Sequence, residues 1–222
     1  MKTEAMAYDL ATSRWSSPFP TKLDSERTLV LAFGAPELPE RSTALRELAG
    51  AFPRSVVVGC STAGEIHGPV VRDASLSVTV SKFDHASLAL AHVEVRGAEG
   101  SFAAGETLAK RLAASGPSLR AVFVLSEGLG VNGSELVRGL NASLDPSVVV
   151  TGGLSADGSA FKRTWVARGA TVSSNVVVAV GFYGERLIVD HGTRGGWDRF
   201  GPERVVTRSD GNVLYELDGK PA

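Results

Sequence analysis

Two stretches of this 222-residue chain place glycines, hydroxyls and carboxylates directly after runs of valine: VVVGCSTAGEI over residues 56–66 and VVVTGGLSADG over residues 148–158. The first offers Gly59, Cys60, Ser61, Thr62, Gly64 and Glu65; the second offers Gly152, Gly153, Ser155, Asp157 and Gly158. Glycine lets a backbone approach a ligand closely and adopt positive φ. Successive free N–H groups in such turns form anion-binding concavities. The hydroxyls supply adaptable donors, and Glu65 or Asp157 could hold an ammonium group. The set suits a small zwitterion, with its carboxylate at backbone N–H groups and its amine at an acid. The same residues also make tight turns with no ligand at all. The occurrence of two related turns is what favours binding.

Cys60 follows a strand and a glycine, and His67 is close in sequence. A nucleophile needs a base within about 3 Å, which sequence spacing alone does not provide. The corresponding place in the second stretch holds Gly153, so that turn forms without a thiol. Lone cysteines are usually small buried residues. The expectation is therefore a binding module and not an enzyme. The alternatives are a cysteine-dependent enzyme using Cys60 with His67 or Glu65, and a protein-interaction scaffold. The histidines His67, His85, His92 and His191 show no metal-ligand spacing, so no metal and no cofactor are expected. The GLGVNG loop at 128–133 lacks the Lys-Ser/Thr ending of a phosphate-binding loop. The segment HGTRGGWDRFGP from His191, with Trp197 and Phe200, reads either as a surface loop or as a lid over a pocket.

The formal net charge of -1 gives no basic excess for nucleic acid or an anionic membrane. No apolar run is long enough to insert in a membrane, and the N-terminus lacks the apolar core of a secretion signal. One cysteine excludes an internal disulfide. A cytoplasmic location is expected.

These turns need strands to present them. Residues 28–33 (TLVLAF) read as a buried strand, and Leu45, Leu48, Ala49 and Phe52 as the apolar face of a helix stopped by Pro53. Strands follow at 55–58, 76–80 and 87–95, then a helix around Leu108 and Leu112. The order begins again with AVFVL at 121–125, a helix carrying Leu136, Val137, Leu140 and Leu144, and SVVV at 147–150. Further strands are expected near 161–166, 176–182 and 187–189. We read two related β-α-β-β-β halves, about 28–96 and 119–195, joined by the helix near Leu108. The fold class is then α/β (mixed α+β), with packed mixed sheets flanked by helices; an α/β/β/α layered sandwich is one such arrangement. Residues 1–27 read as an irregular lead-in with one short helix, and 28–208 as the domain.

The GCSTAGE turn, SVVVTGGLSADG, VVVAVGFYG and VTRSDGNVLYELDGKPA together resemble the N-terminal half of the FIST domain, from about Thr28 onward. The resemblance implies a sensory module of a signal-transduction protein that binds small ligands such as amino acids. It implies as partners a C-terminal FIST half and a signalling output module. Residues 209–222 then read as the start of the linker to that half. The resemblance carries over no ligand residues, so the site rests on the turns.

Overall fold

A computed structural model describes residues 1–192, 198, 200–210 and 213–222. It divides into two units, Met1–Asp190 and His191–Ala222.

The first unit holds two sheets. The first sheet is built from β1 (Lys2–Asp9), β2 (Arg14–Trp15), β3 (Thr28–Gly34), β4 (Val56–Ser61) and β7 (Ser75–Lys82), with the short helices α1 (Leu38–Arg41) and α2 (Ala44–Ala51) between β3 and β4. A small hairpin, β5 (Glu65–His67) and β6 (Val70–Arg72), connects β4 to β7. The second sheet contains β8 (Ser87–Glu94), β9 (Leu119–Ser126), β10 (Val149–Leu154) and β13 (Val176–Tyr183), with helices α3 (Ser101–Ala114) and α4 (Gly133–Ser143). Between β10 and β13 lies a second hairpin, β11 (Val166–Arg168) and β12 (Thr171–Ser173), which pairs with β4 of the first sheet.

The strand orders are β12-β11-β4-β3-β7-β1-β2 and β10-β9-β13-β8. Each contains the same four-strand motif. β3 runs parallel to β4 and antiparallel to β7, and β7 pairs antiparallel with β1. β9 runs parallel to β10 and antiparallel to β13, and β13 pairs antiparallel with β8. This repetition moves the repeat boundary. The strand at 87–95, read from sequence as the end of the first half, is β8 of the second sheet and the counterpart of β1. The lead-in reading of residues 1–27 is likewise corrected. Met6, Tyr8 and Leu10 are buried at period two, and β1 pairs with β7 along its full length. The polar residues before Met6 concealed that alternation.

The layers follow from side-chain alternation. Val30, Ala32, Val57, Val78 and Val80 face Leu38, Ala44, Leu45 and Leu48 of α1 and α2. Leu29, Val58 and Cys60 face the other way and pack on Leu125, Val176, Val178 and Val180 of the second sheet. Val122, Val124, Val177 and Ala179 then meet Leu108, Leu112, Leu136 and Leu140 of α3 and α4. The result is an α/β/β/α sandwich. Strands buried on both faces explain the continuous apolar runs AVFVL and VVVAV. Each fully buried leucine or valine here contributes about 1.5–3 kcal/mol. The helix near Leu108 is α3. It packs on the second sheet and against α4, where Gly105 and Gly139 let the two backbones touch.

Two further readings are corrected. The strand expected at 161–166 begins only at Val166, because Asp157 folds residues 158–163 into a loop. Leu187 to Val189 form no strand. In the second unit, β14 (Val206–Asp210), β15 (Val213–Leu217) and β16 (Lys220–Pro221) form a three-stranded antiparallel sheet, so residues 209–222 contain paired strands. Of the segment read as a surface loop or a lid, Thr193 to Trp197 and Arg199 lie outside the described residues.

Candidate functional site

The first turn leaves β4 at Ser61. Gly59 is inside the strand, opposite Ala32 of β3, and a Cβ there would run into the Ala32 carbonyl. Gly152 occupies the matching place opposite Val124 of β9, at φ +147°, and its Cβ would run into the Val124 carbonyl. Both glycines therefore permit close strand approach inside the sheets. Cys60 is buried between the sheets, and burial pushes its thiol pKa up to about 12. His67 instead lies near Ser77, with Nδ1 at 3.5 Å from its hydroxyl.

Ser61 joins three segments. Its amide donates to the Trp165 carbonyl at 2.9 Å, and its hydroxyl accepts from the Trp165 amide at 3.1 Å. Its carbonyl accepts from the Ala156 amide, in the second turn, at 2.9 Å. Trp165 is fully buried, and its indole N–H donates to the Ala35 carbonyl at 3.2 Å. The Thr62 amide donates to the Gly34 carbonyl at 3.0 Å. These bonds bring the ends of β3 and β4 and the second turn to one place.

There a cleft of about 270 Å³ opens, lined by Pro36, Glu37, residues 62–65, Asp73, Ala74, Asp157 and Gly158. Of the sequence-derived residues, Thr62, Gly64, Glu65, Asp157 and Gly158 line it. Gly59, Cys60, Ser61, Gly152, Gly153 and Ser155 do not. Gly153 is exposed on β10, the edge strand. The Ser155 hydroxyl is buried and has no partner among the described residues.

The two carboxylates chosen for amine recognition are already occupied. Glu65 is 2% exposed and accepts from the Thr62 hydroxyl at 2.8 Å, the Ser75 hydroxyl at 2.7 Å and the Ser75 amide at 3.2 Å. Burial raises its pKa against the lowering effect of those bonds, and Asp73 raises it further. Asp157 accepts from the amides of Phe161, Lys162 and Arg163 at 3.1, 2.7 and 2.8 Å. The Arg163 and Lys162 bonds hold its pKa below the usual aspartate value.

Sequence reasoning missed Asp73 and Glu37. Asp73 comes from the turn between β6 and β7 and makes no hydrogen bond or ion pair among the described residues. Glu37 is 3.7 Å from Arg41. The cleft lining thus has four acids and no lysine or arginine. Neither residue belongs to a glycine turn, so no local pattern singles them out. The amides of Ala63 and Gly64 donate no hydrogen bond among the described residues. The site therefore presents free N–H groups and an uncommitted carboxylate within one small, acidic cleft. Sequence reasoning also missed Glu127, 5% exposed, which accepts from the amides of Leu129 and Gly130 at 2.7 and 2.6 Å and from the Thr164 hydroxyl at 2.9 Å. It ties the glycine-rich loop after β9 to the segment just before β11 that carries Trp165.

A family model described as the FIST N domain matches residues 28–220. No curated protein matches the chain.

Proposed function

Because this chain belongs to the FIST N domain family, which is generally considered sensory in signalling proteins, we propose that it senses small amine-bearing metabolites, amino acids among them. The observation that carries this reading is the meeting of both glycine turns at one acidic cleft of about 270 Å³. That volume is at the small end for ligand sites and suits a compact metabolite. The ligand amine sits at Asp73, with Asp157 adding negative potential. A ligand carboxylate accepts from the Ala63 and Gly64 amides. Four acids in the lining favour a ligand with an excess of positive charge, so basic amino acids and amines are preferred over acidic ones. The output passes to partner modules, a C-terminal FIST half and a signalling domain.

Burial of Cys60 and its pKa of about 12 support binding over thiol catalysis. Among the described residues, no helix is long and apolar enough to cross a membrane.

The test is thermal stability against a panel of amino acids and amines, for wild type and Asp73→Asn. A ligand at a hundred times its dissociation constant adds about 2.7 kcal/mol, a shift of several degrees. We expect basic members to stabilise the wild type and to lose most of that effect in Asp73→Asn. Equal stabilisation of both proteins, or none by any compound, overturns the assignment of the cleft.

A further inference from the structure

A second cavity, of about 250 Å³, lies away from the turns and is lined by His92, Glu94, Arg168, Ser173, Ser174 and Asn175. It forms where the edge strand of the second sheet, β8, faces the hairpin β11–β12 that edges the first. Arg168 is half-buried. Its Nε is fully buried and has no hydrogen-bond partner among the described residues. Its Nη1 is 3.5 Å from Nδ1 of His92. The Arg111 guanidinium, from α3, donates to the His92 carbonyl. Two guanidiniums and an imidazole therefore converge on one strand position. Among the described residues neither arginine forms an ion pair. Glu94, the acid in the lining, is exposed and bridges neither of them.

This arrangement is costly as it stands. A buried N–H without an acceptor loses its hydration and gains nothing in return. Like charges held together at the edge of a low-dielectric interior repel. An anion removes both costs. The other groups around the cavity are suited to the same guest: the hydroxyls of Ser173 and Ser174 and the amide of Asn175 make no hydrogen bonds among the described residues. The Asn175 carbonyl, by contrast, is committed to the Val95 amide at 2.9 Å, which fixes the turn before β13.

We propose that this corner is a binding site for a small oxyanion, a phosphoryl or carboxylate group held by the Arg168 guanidinium, whose Nε lacks an acceptor among the described residues, and by the Ser173–Asn175 donors. An arginine fork presents two parallel N–H groups to such a group, which is why guanidinium suits planar and tetrahedral oxyanions alike. The site is independent of the turn cleft and stands whether or not that cleft binds amines. The two are nevertheless connected by one short segment: Trp165, tied to Ser61, is three residues before Arg168.

The probes are inorganic phosphate and acetate, each titrated into the ¹⁵N-arginine-labelled protein at constant ionic strength, with sodium chloride as the control. We expect the Arg168 Nε–H resonance to move saturably in the millimolar range with at least one oxyanion and not with chloride. A response to phosphate alone assigns a phosphoryl guest, to acetate alone a carboxylate, and to both a shared site. Asn175→Asp puts a like charge at the exposed rim without touching the core, and should weaken the response by about tenfold or more. Arg168→Gln should abolish oxyanion stabilisation of the melting temperature. No saturable shift with either oxyanion overturns the proposal. So does a response that chloride reproduces, or one that Asn175→Asp leaves unchanged while still folded.

Discussion

The carbonyl of Ser61 accepts the amide proton of Ala156 across 2.9 Å, so the two glycine turns are hydrogen-bonded backbone to backbone. One belongs to the first sheet and the other leaves the second sheet. The bond sits beside Trp165, which is held by both the amide and the hydroxyl of Ser61. The candidate cleft is thus part of the joint between the two halves, and changes there report on the joint as well as on binding.

Glu65 shows this coupling through pH. Burial raises its pKa above the ordinary 4.5, so the fold favours the protonated acid. Its contribution is full below about pH 4.5 and is lost as pH rises through the higher folded value. Glu65→Gln removes the titration while keeping the shape. We expect the melting temperature of Glu65→Gln relative to wild type to improve as pH rises from about 4.5 to neutrality. A constant difference across that range refutes this account. Glu65→Ala, which strands the Thr62 and Ser75 donors, should cost about 1–3 kcal/mol, with the larger cost at low pH.

Asp157 has the opposite sign. Its pKa is lowered by the amides it caps, so its contribution is present above the ordinary 3.8 and lost as pH falls through the lower folded value. Asp157→Ala should free the amides of Phe161, Lys162 and Arg163, and their hydrogen exchange should quicken while Val178 and Val180 remain protected. Unchanged exchange in residues 161–163 counts against the capping role.

Gly59 and Gly152 occupy equivalent places against the carbonyls of Ala32 and Val124. Gly59→Ala and Gly152→Ala should each destabilise by about 1–3 kcal/mol or more, through overpacking between parallel strands. Gly153→Ala, with open space at its Cβ, serves as the control and should change little. Urea unfolding of the three variants decides this, and equal stability of all three contradicts the equivalence.

Cys60 should resist alkylation. With its thiol buried and its pKa near 12, iodoacetamide at neutral pH should label native protein far more slowly than protein in denaturant. Fast labelling of the folded chain would revive a nucleophilic role.

The mixed class, the helices on Leu45 and Leu108, and the likeness of the two valine-glycine turns are all legible in the residues alone. Each is a local pattern: period 3.6 for a helix, unbroken apolar runs for strands covered on both faces, glycine where a chain turns or touches. The residues also indicate that Thr62, Gly64, Glu65 and Asp157 could serve a shared site. Local pattern does not reveal partners. β8 follows β7 closely in the chain yet pairs with β13, because its inward residues complete the surface beneath α3. β11 comes from the second half yet completes the first sheet beside β4. Only tertiary structure decided that Glu65 and Asp157 spend their oxygens on the protein itself, leaving Asp73 as the cleft acid with no hydrogen bond or ion pair among the described residues. The reason is physical: which carboxylate stays uncommitted depends on which donors long-range packing brings within about 3 Å, and nothing in local spacing records that.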